Sequence, residues 1–170
     1  MVYRLLNLTL NGIVTRFSFI LMNLLIFTFS IYCLIYLFGF VKTYDKSMDV
    51  DIIDQMSDTL NSVAGVLVAI GVLMECRATI QKITKKDSTT HLEEHLNEIA
   101  EHNGIGLLLL GLFMEIATAL IYVPNKLIDT SGVELYLFYS CFFFIIISMA
   151  VEFDLIKDYI KTYFWKNEKK

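Results

Sequence analysis

Three carboxyl groups stand in or beside long apolar runs. Glu115 lies inside "GLLLLGLFMEIATALIY" (106–122), Glu75 in "GVLVAIGVLMEC" (65–76), and Glu152 at the end of the last run. A charged side chain near a bilayer midplane costs about 2.5–3.5 kcal/mol on insertion scales. Each acid must therefore face protein or water, or keep its proton. Held close together, the three would not all ionise, because like charge and desolvation both disfavour the charged form. Such a group suits proton relay or the holding of a cation. The plainer alternative sets Glu75 and Glu152 in the interface, paired with Arg77 or Lys157.

The histidines form a second constellation. His91, His95 and His102 are all that the chain contains, and with Glu98 they fall on one edge of a single helix. His91 and His95 are one turn apart, a spacing at which two imidazoles can share a divalent metal. His102 is roughly 10 Å further along the axis from His95, so a three-histidine site would need another helix or subunit. The pattern is neither a metalloprotease motif nor the Glu-x-x-His of di-iron bundles. A polar helix edge or a pH-sensitive surface competes with the metal reading.

What positions these groups is a chain of unusual composition. Of its 170 residues 56% are hydrophobic, and only one is proline. Mean hydropathy is +0.59. Four runs, 17–41, 59–78, 104–123 and 133–154, approach or reach the roughly 17–25 residues that a membrane-spanning helix needs. A soluble chain this short has too little polar surface to coat four such helices. The expected fold is all-α: one membrane domain over 1–170, a polytopic bundle of four transmembrane helices. The first run follows two arginines and ends without a small-x-small cleavage site, so it reads as a permanent span.

Lysine and arginine placement sets the expected orientation. Arg4, Arg16, Arg77, Lys82, Lys85, Lys86, Lys157, Lys161, Lys166, Lys169 and Lys170 fall on one side, and Lys42, Lys46 and Lys126 on the other. Both termini are then cytoplasmic, in a multi-pass protein of the inner cell membrane.

The connecting segments are read as follows. Residues 1–15 form an interfacial amphipathic helix. Lys42–Asp58 is an acidic outer loop whose Ile52, Ile53, Met56 and Leu60 suit a short surface helix. Residues 79–103 form a cytoplasmic helical hairpin arm between spans two and three. Thr90 and Glu93 make a capping box that starts a helix from His91 to Val123, stopped by Pro124 and open to a kink at Gly104 and Gly106.

Helical phase assigns faces. At about 100° per residue, Gly104, Gly111, Glu115, Thr118 and Tyr122 share one stripe, with Asn97 and Glu101 upstream. Glycines on such a stripe let another backbone approach closely. On the second run, Gly65 and Gly71 are the packing candidates, and Glu75 shares a face with Ala64, Gly71 and Ala78. Glu152 shares one with Glu134, Cys141 and Ser148. The echo between Gly71-x-x-Met74-Glu75 and Gly111-x-x-Met114-Glu115 is either chance or the trace of an inverted repeat. Cys33, Cys76 and Cys141 show neither zinc nor redox spacing and read as small apolar fillers.

No phosphate loop, dinucleotide fingerprint or nucleophile elbow is present. The expectation is a non-enzymatic accessory or assembly subunit, with lipid and either like chains or a larger membrane complex as partners. No nucleic acid and no organic cofactor are called for. The second expectation is proton or cation translocation by Glu115 with Glu75 and Glu152. The third is metal binding or sensing by His91, His95 and Glu98.

Overall fold

A computed structural model describes residues 16–43, 50–84, 91–122 and 133–165. Every element among them is a helix: α1 (Arg16–Thr43), α2 (Val50–Glu75), α3 (Arg77–Thr84), α4 (His91–Tyr122) and α5 (Glu134–Trp165). Four of these are long and apolar enough to cross a membrane, over Phe19–Gly39, Asp54–Glu75, Glu93–Ile121 and Tyr136–Lys161. The 1–15 segment, the Thr90 cap and the turn after Pro124 lie outside the described residues.

Neighbouring helices run antiparallel. Gly71 of α2 sits against Gly104 and Leu108 of α4, while Gly111 of α4 sits against Ala64 and Val68 of α2. On the other side of α4, Phe113 stacks on Phe144 of α5 at 6.0 Å. The Tyr159 hydroxyl of α5 reaches the Leu96 carbonyl of α4. Rings pair α1 with α5, Phe19 with Tyr159 at 5.0 Å and Phe27 with Phe153 at 6.5 Å. Going round the bundle the order is thus α2, α4, α5, α1, with α1 also touching α2 and with α3 extending α2 along α4.

α1 and α5 each bury a narrow seam of alternating three- and four-residue spacing, whereas α2 and α4 bury broader stripes. On α1 it is Phe19, Asn23, Ile26, Ser30, Cys33 and Leu37. On α5 it is Phe138, Cys141, Ile145, Ser148, Glu152, Leu155 and Tyr159. This is the seven-residue period of left-handed knobs-into-holes packing. The outward faces carry Leu25, Tyr32 and Ile35 on α1, Phe113 and Ile116 on α4, and Phe143 and Phe153 on α5, all exposed. The inward seams of α1 and α5 thus mix polar with apolar residues, while large apolar side chains are exposed on the outward faces.

Two expected boundaries shift. The second span does not begin near residue 59 after a separate surface helix. α2 starts at Val50 and runs on without a break. Met56 and Leu60 are fully buried and continue the seam of Val63, Leu67, Ile70 and Met74, so one helix buries more than two would. α4 likewise passes unbroken through Gly104 and Gly106. At the other end of α2, hydrogen bonds from the Cys76 amide to Val72 and from the Ile80 amide to Cys76, both 2.9 Å, carry the ladder across the turn into α3.

The α2–α4 contact is made by bare backbone. A Cβ on Gly104 would lie 2.8 Å from the Gly71 carbonyl oxygen and 2.9 Å from the Glu75 amide nitrogen. One on Gly111 would lie 2.9 Å from the Ala64 carbonyl oxygen. Gly106, by contrast, faces open space. Gly104→Ala must push the two helices apart and is expected to cost about 1–3 kcal/mol, the usual range for overpacking. Gly106→Ala should be neutral or stabilising by up to about 1 kcal/mol through helix propensity. Thermal unfolding of the two variants in detergent, side by side, checks this pair.

Candidate functional site

One end of the bundle closes around Arg77, which is 1% exposed. It continues the α2 seam: Ile70, Met74, Arg77 and Gln81 follow one another at three- and four-residue steps, all buried. The guanidinium Nη1 donates to Asn97 Oδ1 of α4. The Asn97 amide donates in turn to Gln81 Oε1 at 2.8 Å. Arg77 Cζ lies 5.2 Å from the Phe19 ring centroid and 5.8 Å from that of Tyr159. Both fall within the roughly 6 Å over which a cation is drawn to a π face. The planar guanidinium suits this position, since it stacks on rings and hydrogen-bonds at its edge. Phe19, Arg77, Asn97 and Tyr159 thus join α1, α3, α4 and α5 at one point.

The three acids occupy different surroundings. Glu75 ends α2 and is exposed. Its backbone, not its side chain, meets Gly104. Glu115 is half-buried and stands eleven residues beyond Gly104 on α4, roughly 16 Å along the axis. Glu152 is fully buried. It lies on α5 between the levels of the Phe113–Phe144 and Leu96–Tyr159 contacts, close to the level of Gly104. Among the described residues neither of its carboxyl oxygens has a hydrogen-bond partner. Pairing of Glu152 with Lys157 is not found, and Lys157 is exposed.

The remaining residues of the Glu115 stripe divide by role. Gly104 and Gly111 form the α2 contact. Thr118 is buried, but its hydroxyl bonds its own helix, to the Met114 and Glu115 carbonyls at 3.0 Å each. The side chain of Tyr122 lies outside the described residues, as do those of His91 and Glu134. Gly71 is packed against Leu108, whereas a Cβ on Gly65 would meet nothing within 4 Å.

The histidine edge faces solvent. His95 Nδ1 lies 3.9 Å from Glu98 Oε2, with the side chains 61% and 85% exposed. His102 is exposed as well. No group of three or more His, Cys, Asp or Glu side chains suited to a metal occurs among the described residues. Cys33 and Cys141 are buried free thiols, and Cys76 is exposed and free.

In the sequence Arg77 reads as a positive charge at a membrane surface and as an alternative interface partner for Glu75 or Glu152. The signal that places it inside was its phase: it sits seven residues after Ile70, on the seam. A scan of family models gives no match to this chain, and searches of curated proteins and of solved structures give none either.

Removing the Asn97 amide leaves a buried guanidinium short of an acceptor. Asn97→Ala is expected to cost about 1.5–3 kcal/mol, the range for hydrogen bonds to charged groups. Arg77→Lys keeps the charge but loses the planar fit to two rings, and should cost a similar amount. Denaturation midpoints in detergent measure both.

Proposed function

We propose that this chain is a non-enzymatic subunit of the inner membrane that assembles, through its helices, with a second copy of itself or with a larger membrane complex. The lysine and arginine distribution supports cytoplasmic termini, with the Arg77 end of the bundle on that side. The observation that carries the assembly reading is a second seam on α2, directed away from the bundle. Asp58, Asn61, Ser62, Ala69, Val72 and Cys76 are exposed, and Gly65 is half-buried with open space at its Cβ. These positions repeat at three- and four-residue steps. Most of them lie in the stretch of α2 that is apolar enough to span a membrane, Asp54–Glu75.

Lipid is a poor neighbour for this face. The Ser62 and Thr59 hydroxyls satisfy themselves on carbonyls of their own helix, Asp58 and Gln55, at 2.8 Å each. Asn61 presents an exposed amide. Gly65-x-x-x-Ala69 has the small-x-x-x-small spacing through which helices associate in bilayers, where apolar burial supplies no driving force. The glycines thus fall into two sets. Gly71, Gly104 and Gly111 are consumed inside the chain, and Gly65 is open to a partner.

Cys76, at the end of the outward seam, supplies a natural probe. Oxidative crosslinking in native membranes should yield a Cys76-linked dimer or a crosslinked complex. Gly65→Leu should reduce that product at least several-fold while leaving the fold's thermal stability unchanged. Gly71→Leu should destabilise the chain itself. A monomeric, unaccompanied chain in native membranes, with a crosslinking yield indifferent to Gly65→Leu, would rule out this surface and the assembly role with it.

A further inference from the structure

The strongest unexplained group in the molecule is Glu152, a fully buried carboxyl with no hydrogen-bond partner among the described residues. The α1–α5 ring pairs set its register. Phe27 meets Phe153 and Phe19 meets Tyr159, so Glu152 faces the Ile26 turn of α1, between the levels of Asn23 and Ser30. Both are also fully buried, and Asn23 Oδ1 and Ser30 Oγ likewise have no partner there. One turn away on α5, the Ser148 hydroxyl is turned to the Ile145 carbonyl at 2.8 Å. Acceptor oxygens outnumber donors in this seam.

The charges of the packed elements lie elsewhere. Arg77 is held over Tyr159, seven residues from Glu152 and roughly 10 Å along the axis. At Glu152's level α4 contributes Gly104 and Ala100, and its Glu101 and His102 are exposed. Glu75 of α2 is exposed too. Farther along the seam the titratable groups are the Cys33 and Cys141 thiols. Glu115, half-buried on α4, stands roughly three turns from Gly104.

A carboxylate in such surroundings has no counter-charge, and the Ser30 hydroxyl is the one uncommitted side-chain donor among the described residues of its level. A group so placed neutralises rather than staying ionised, and an ionisable residue inside a membrane bundle points to function by default. We propose that Glu152 is a proton-binding site in the α1–α5 seam, its carboxyl held as the neutral acid at neutral pH beneath α1. As an acid it adds a donor to a seam in which acceptors outnumber donors. Helical side chains lean towards the N-terminus of their own helix. Because α1 and α5 are antiparallel, Glu152 and Ser30 lean towards each other, but no hydrogen bond joins them in the structure. Loss of that proton sets a negative charge under α1, whose main packing partner is α5, so α1 docking becomes proton-dependent. This goes beyond the assembly role and stands on a different helix pair.

Infrared difference spectra of the full-length protein in liposomes test the assignment. Wild type minus Glu152→Gln at neutral pH should show a protonated-carboxyl C=O band that fades as pH is raised. A carboxylate band for Glu152 at neutral pH would overturn the proposal. Sodium that removes the acid band at fixed pH would overturn proton selectivity and make this a cation site. Should Glu152→Gln fail to fold, carboxyl-labelled glutamate in a Glu115→Gln chain allows the same reading: an acid band that persists when exposed carboxyls are ionised supports the site, and its absence removes it.

Discussion

The close approach of the α2 and α4 backbones is the constraint on which the bundle depends. In lipid, apolar side chains gain little by leaving one apolar medium for another, so close packing and buried polar bonds must hold helices together. Gly71, Gly104 and Gly111 supply the packing by admitting the facing backbone where any side chain would collide. That contact fixes the rotation of both helices. Once it is fixed, Arg77 and Gln81 on one side and Asn97 on the other must meet at the end of the same interface, and they do.

The other half of the bundle is held differently. α1 and α5 meet through aromatic rings and a seam containing Asn23, Ser30, Ser148 and Glu152, all fully buried. The α2–α4 half is thus joined by bare backbone contact and by the Arg77–Asn97–Gln81 hydrogen bonds at its end. The α1–α5 half is joined by rings around polar groups, of which the Glu152 oxygens, Asn23 Oδ1 and Ser30 Oγ lack hydrogen-bond partners. The Arg77 cluster joins the halves, since its guanidinium touches rings from both α1 and α5.

Much of this was legible in the residues. Four spans follow from run length and composition, and α4 does start at His91 and end two residues before Pro124. The division of roles among similar residues was not. Gly65 and Gly71 look alike in sequence, six residues apart on one helix, yet one is open and the other packed. Glu75 and Glu115 share a five-residue echo, while the most deeply buried acid is Glu152, which has no such echo. Arg77 looked like a surface cation because it fell in with the lysines and arginines of one side of the chain, although its phase with Ile70 and Met74 points inward.

By itself the sequence determined that four helices are long and apolar enough to cross a membrane, and most of their ends. Those properties depend on composition, run length and local breakers, which act within one segment. Only the tertiary structure decided which stripe of each helix faces inward. Helices that are apolar nearly all round carry a weak amphipathic signal, and phase is then chosen by backbone fit and polar pairing between segments distant in the chain. That choice put Arg77 and Glu152 inside, left Glu75 outside, and turned Gly65 towards whatever lies beside the bundle.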